Sequence, residues 1–235
     1  MYKTVEGRWG ECTFLAKDEY VGRSMYYYGE YNPDETEKIL SVARGTCLDI
    51  GANIGCISQA LLKAGHKVVA FEPQPQLFSI LGENLLGRGE VTLVPAAVGS
   101  VEGHVDMPRV QYSSKGNFGG LGIGDKSIYG SIQVPVVTID SYEFNDVGFM
   151  KIDVEGYELE VLRGATETIR RCRPIMYIED DRKDKSAALR AYIRELGYNI
   201  EEHYPTLYRE ENFFGLKKNV WDRNYASHNL ICTLV

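Results

Sequence analysis

From Thr46 onward the chain alternates short runs of β-branched and apolar residues with longer amphipathic stretches, the pattern of a parallel sheet with crossover helices. Thr46 to Ile50 reads as a first strand, about Ile54 to Ala64 as a helix, Val68 to Glu72 as a second strand and Pro75 to Leu86 as the helix after it. Val91 to Val98 reads as a third strand. Further on come a strand at Gly148 to Asp153, a helix at about Glu158 to Arg171, an apolar strand at Ile175 to Ile178 and a charged helix at Lys185 to Leu196. Ile200 to Tyr204 and Leu230 to Val235 complete the sheet as an antiparallel pair. The expected fold class is therefore α/β, a doubly wound and mostly parallel Rossmann-like sheet with helices on both faces.

Two regions break the alternation. Residues 101 to 137 are rich in Gly, Ser and β-branched residues, with Gly116, Gly119, Gly120, Gly122 and Gly124 close together. This predicts a β-hairpin inserted after the third strand, with a mobile tip that is a candidate lid. Residues 1 to 45 carry Tyr26, Tyr27, Tyr28 and Tyr31, followed by Asn32-Pro33-Asp34-Glu35, a helix-start signal. They are expected to form a helical, aromatic cap on a main domain spanning 46 to 235.

Composition narrows the partners. At 235 residues and 44% hydrophobic content the chain can bury one large core, and a formal charge of −7 gives no broad cationic face for nucleic acid. Neither a leader-type N-terminus nor an apolar run long enough to span a membrane is visible, so a cytoplasmic protein is expected. The five cysteines lack a C-x-x-C pair, and the four histidines lack an H-E-x-x-H pair, which removes disulfide frameworks, zinc knuckles and the commonest histidine metal motif.

The sharpest motif is Cys47-Leu48-Asp49-Ile50-Gly51-Ala52-Asn53-Ile54-Gly55, a strand running through a glycine turn into a helix. Such a turn brings backbone N–H groups close to a nucleotide-type ligand. Glu72 follows Gly51 at the end of the second strand, where an acid can accept hydrogen bonds from both ribose hydroxyls. A dinucleotide fingerprint would need glycine where Asn53 and Cys56 stand. The Asp49 carboxylate would repel a pyrophosphate and suits the ammonium of an amino-acid moiety, so the expected cofactor is S-adenosylmethionine.

With these residues in view, the chain resembles the FkbM family of class I methyltransferases. The resemblance rests on Leu48 to Gly55, Val69-Ala70-Phe71-Glu72-Pro73, Val94-Pro95-Ala96-Ala97-Val98-Gly99, Met150 to Glu158 and Val161-Leu162-Arg163-Gly164-Ala165. It implies that Asp49, Gly51, Asn53 and Gly55 hold the methionine portion of the cofactor, that Glu72 holds the ribose, and that Ala97 and Val98 flank the adenine. It also implies that Glu30, after Gly29, lies near the methionine end.

Asp153 stands at a strand end, where open α/β sheets bind ligands, and is expected to face the transferred methyl. Methylating a hydroxyl needs a base or a metal ion, and carboxylates supply either. Glu155 either joins Asp153 or caps the next helix. Glu179 and Asp180 end the following strand, and with Asp153 they would suit a hard cation such as Mg²⁺; alternatively Asp180 and Asp181 cap the helix near Lys185. The expected catalytic residues are Asp153, Glu179 and His203, with His228 as another candidate base. The expected reaction is O-methylation of a sugar, glycan or secondary metabolite; an N-methyltransferase or a non-catalytic cofactor-binding module are the alternatives.

Overall fold

In the computed structural model, which describes residues 2–221 and 225–234, the expected sheet is present with seven strands. The chain opens with an antiparallel hairpin, β1 (Tyr2–Gly7) and β2 (Gly10–Leu15), then α1 (Val21–Tyr28) and α2 (Pro33–Val42). The alternating part runs β3 (Thr46–Ile50), α3 (Cys56–Lys63), β4 (Lys67–Phe71), α4 (Pro75–Leu85) and β5 (Val91–Val94). After an insertion come β9 (Val147–Ile152), α5 (Glu158–Arg163), α6 (Thr166–Cys172), β10 (Ile175–Glu179), α7 (Lys183–Glu195), β11 (Tyr198–His203) and β12 (Asn229–Leu234). The strand order is β11-β12-β10-β9-β3-β4-β5, all parallel except β12, which runs antiparallel between β10 and β11.

Side chains alternate across this sheet with period two, and each set meets its own helices. Leu48, Ile50, Phe71, Met150, Ile152, Met176 and Ile178 pack with Val161 and Leu162 of α5, Ile169 of α6, and Leu189 and Ile193 of α7. Cys47, Val68, Ala70, Phe149 and Tyr177 pack on the other face against Ile39 of α2, Leu61 of α3 and Leu81 of α4. Asp49 and Lys151 continue this second set, and they are direct register partners across β3 and β9. Two ionisable groups thus lie side by side under α2, where apolar residues would be expected.

Three expectations are corrected. The first residues form the β1–β2 hairpin in place of a purely helical cap. The third strand ends at Val94, because Pro95 has no N–H for the ladder; Ala97–Val98 is a separate short strand, β6, in another sheet. The helix expected over Glu158 to Arg171 is two helices, α5 and α6, divided at Gly164. Val235, the last residue of the expected final strand, lies outside the described residues.

The insertion is a hairpin, as expected: β7 (Gly103–Pro108) pairs antiparallel with β8 (Ser131–Val137), which also pairs with β6. Its tip is tied to the body. Phe118 is buried, its N–H donates to Asp18 Oδ2 (3.2 Å), and its carbonyl accepts from Gln74 Nε2 (3.0 Å).

Candidate active site

A cavity of about 350 Å³ lies over the carboxyl ends of β3, β4, β9 and β10. Its floor comes from the strand ends and its walls from three segments outside the sheet: the α1–α2 region (Tyr20, Tyr31, Glu35), the insertion tip (Asn117, Leu121) and the stretch before β12 (Leu207, Tyr225).

The glycine turn after β3 is shaped by a close approach. Gly51 has φ +81°, and a Cβ there would lie 1.8 Å from the carbonyl oxygen of Asp153, so no side chain fits. Gly51 and Asn53 line the cavity. Gly55 does not: it faces Leu81 and Leu85 of α4, a packing role.

Glu72 also lines the cavity, with Oε2 accepting from Asn53 N–H (2.9 Å) and Oε1 from Gln74 N–H (2.8 Å). Each oxygen keeps a lone pair for a further donor. Burial pushes this carboxyl up to about 7, against the lowering effect of the two backbone donors. Ala97 and Val98 form the wall nearby, so the ribose and adenine expectations fall on one side of one cavity.

Asp49 departs from expectation. It is fully buried and absent from the lining; Ser58 Oγ donates to its Oδ2 at 2.6 Å, and Lys151 Nζ stands 3.7 Å from Oδ1. Glu30 is likewise closed off, because Arg8 Nε lies 2.7 Å from it and the Phe213 N–H donates to it at 2.9 Å.

Lys151 is a residue the sequence reading quoted in a motif without giving it a role. It is buried at 4% exposure, lines the cavity, and donates to Asp153 Oδ2 at 3.1 Å. Burial alone would depress its ammonium, but the carboxylates of Asp153, Asp49 and Glu35 outweigh this and raise it. Its signal was a lysine inside the apolar run Phe149-Met150-Lys151-Ile152. Glu35 was also passed over. It precedes Ile39 by four residues, so both face the sheet, and burial lifts its carboxyl to about 8.

Asp153 and Glu179 line the cavity together. Burial and the neighbouring Asp153 hold Glu179 well above the usual carboxylate range. One oxygen each from Asp153, Glu155 and Glu179 falls within 4.8 Å of the others, a trio in which Glu155 replaces the expected Asp180. Asp180 turns away to accept from Ser186 Oγ (2.8 Å) and Arg190 Nε (2.7 Å), anchoring the first turns of α7. Glu155 pairs with Arg182 Nη2 at 3.0 Å and does not cap α5, whose N-terminus has no side-chain cap; Glu158 accepts from Gly156 N–H at 2.8 Å in the loop before it. Neither histidine reaches the cavity. His203 Nδ1 pairs with the Tyr177 hydroxyl at 2.8 Å, and His228 stacks on Tyr204 beside Arg190.

The Methyltransferase FkbM domain matches residues 49–200, which run from the end of β3 to the start of β11 and contain every strand end beneath the cavity. The chain belongs to the FkbM methyltransferase family. Over 127 residues it is 31% identical to the hexuronic acid methyltransferase AglP of Haloferax volcanii, covering 52% of this chain and 50% of AglP. The chain thus spans half the length of that curated relative. The crystal structure of a Methyltransferase FkbM from Methylobacillus flagellatus KT superimposes with a TM-score of 0.53 at 18% identity, over 84% of this chain and 50% of that one. A tRNA (uracil-54, C5)-methyltransferase of Pyrococcus abyssi, solved with S-adenosyl-L-homocysteine, gives 0.52 at 9% identity, over 98% of this chain and 44% of that one. At such identities the two structures speak for the fold. Among the described residues no helix is long and apolar enough to cross a membrane.

Proposed function

We propose that this family member transfers the methyl group of S-adenosylmethionine to an oxygen of a carbohydrate acceptor, with Asp153 receiving the acceptor's proton. The observation that carries the reading is the pairing of Asp153 with a buried lysine in a cavity that Glu72 also lines. The cofactor, when bound, supplies an electrophilic methyl on a sulfonium.

The residues fit such a ligand. Six carboxyl groups line the cavity (Glu35, Glu72, Asp153, Glu155, Glu179, Asp181) against Lys151 as the sole lining Lys or Arg among the described residues, a balance that favours a cation. Glu72 has free lone pairs for ribose hydroxyls, and the Gly51 turn keeps the backbone open to close approach. Asp153 is held by Lys151 through Oδ2, which leaves its other oxygen for an acceptor hydroxyl. A hydroxyl requires that assistance, whereas an amine brings its own lone pair, so a carboxylate base favours oxygen as the acceptor atom.

In the acidic trio Lys151 pairs with Asp153 and Arg182 with Glu155, and the proton-transfer role given to Asp153 calls for no divalent ion such as Mg²⁺. The acceptor class is drawn from AglP, whose name specifies a hexuronic acid. The test is an assay with labelled S-adenosylmethionine and a panel of neutral and acidic sugars in a chelating buffer. A product methylated on oxygen is expected. Methylation confined to amines, or cofactor binding without turnover on any acceptor, would overturn the reading.

A further inference from the structure

Two cavity side chains from the α2 start have no task in the proposed reaction. Asn32 sits immediately before α2 with φ +44° and ψ +64°, the left-handed region that a non-glycine residue occupies only where its surroundings impose it. It is 2% exposed, lines the cavity, and donates Nδ2 to Glu35 Oε2. That bond fixes the amide, so its oxygen is presented elsewhere. Asn32 Oδ1 is buried without a hydrogen-bond partner among the described residues. Buried amide oxygens are almost always paired, and an unpaired one on a cavity-lining residue calls for a donor from the ligand.

The donor's chemistry follows from the surroundings. The lining is acid-rich around one lysine, so a cationic donor is favoured over a neutral one. A sulfonium is cationic but has no N–H or O–H to give. An ammonium has three such donors. The other acids expected near a methionine portion are spoken for: Glu30 by Arg8, and Asp49 by Ser58 and Lys151. Asn32 and Glu35 line the same cavity as Gly51, and Glu35 lies within electrostatic reach of Lys151, Asp153 and Asp49.

We propose that Asn32 Oδ1 and the Glu35 carboxylate receive the α-ammonium of the cofactor's methionine portion. This rests on the S-adenosylmethionine reading above. The test is calorimetric binding of S-adenosylhomocysteine and of its deamino analogue, which lacks only the amino group, to the whole chain and to two variants. Asn32→Gly removes the amide while glycine keeps the left-handed backbone without strain, and Glu35→Gln keeps the size but not the charge. The unmodified protein should prefer S-adenosylhomocysteine at least tenfold, and each variant should reduce that preference to about twofold or less. A wild-type preference near one, or variants that retain the full preference, would overturn the proposal. A protein that binds neither ligand would instead sink the cofactor reading on which it rests.

Discussion

Replacing Lys151 with methionine removes the one cation that Asp49 and Asp153 share while keeping most of the side-chain volume. Asp49 is fully buried, and its Oδ1 has Lys151, 3.7 Å away, as its charge partner; the Asp153 pair is closer, at 3.1 Å. At an effective dielectric constant near 20 such separations correspond to roughly 5 kcal/mol of attraction apiece, largely offset in the folded protein by the cost of burying the charges. Stranding Asp49 should then cost about 3–5 kcal/mol, the range for losing one member of a buried pair. That is a large part of the roughly 5–15 kcal/mol that holds a domain folded. Urea unfolding of wild type and variant would measure the effect. A deficit under about 1 kcal/mol would refute the claim that Lys151 neutralises buried charge.

Three further outcomes follow from the same geometry. Asp153→Asn should lower methyl transfer by about 10²–10⁴-fold, the scale of general-base catalysis, with S-adenosylhomocysteine affinity within about tenfold by calorimetry. Glu35, Glu72 and Glu155 are all raised by burial, to about 8, 7 and 7. Their contribution to stability is fully present below the ordinary glutamate value and is lost as pH climbs through those values, so Tm should fall between pH 5 and pH 9; Glu35→Gln should flatten the upper part of that decline. Phe118→Ala should release the insertion tip and speed hydrogen exchange over residues 109–130, while the parallel strands keep wild-type protection.

The sheet was legible in the sequence because its central strands are buried on both faces and its helices are amphipathic, so period and length separate them. What escaped depends on contacts between distant residues. Gly164 fits a helix locally, but a Cβ there would meet the carbonyl of Gly99 at 1.9 Å, and this close approach accompanies the break between α5 and α6. The β1–β2 hairpin shows only one fully buried run, at Cys12 to Leu15, against a mostly exposed partner strand, so its alternation is weak. Motif residues at strand ends landed in the cavity, because a strand end has one direction to face. The remaining acids did not sort by type: Glu30, Asp49 and Asp180 were drawn aside by Arg8, Lys151 and Arg190, partners 22, 102 and 10 positions away in the chain. Glu35 belongs to a helix-start signal that says nothing of which way its side chain faces, and only the packing of α2 on the sheet reveals where it points.

The placement of β12 between β10 and β11 has a kinetic consequence. β3, β4 and β5 are joined by single crossovers, so that half of the sheet can assemble as soon as residues 46–94 are available. On the other side, β10 and β11 have no hydrogen bonds to each other and must wait for a strand that lies beyond residues 204–228. Until it inserts, both present open backbone edges, one of them carrying the apolar run Ile175 to Ile178. A sheet that still lacks β12 has a vacant slot, open to the matching strand of another copy, so crowding during synthesis should favour exchange of β12 between molecules.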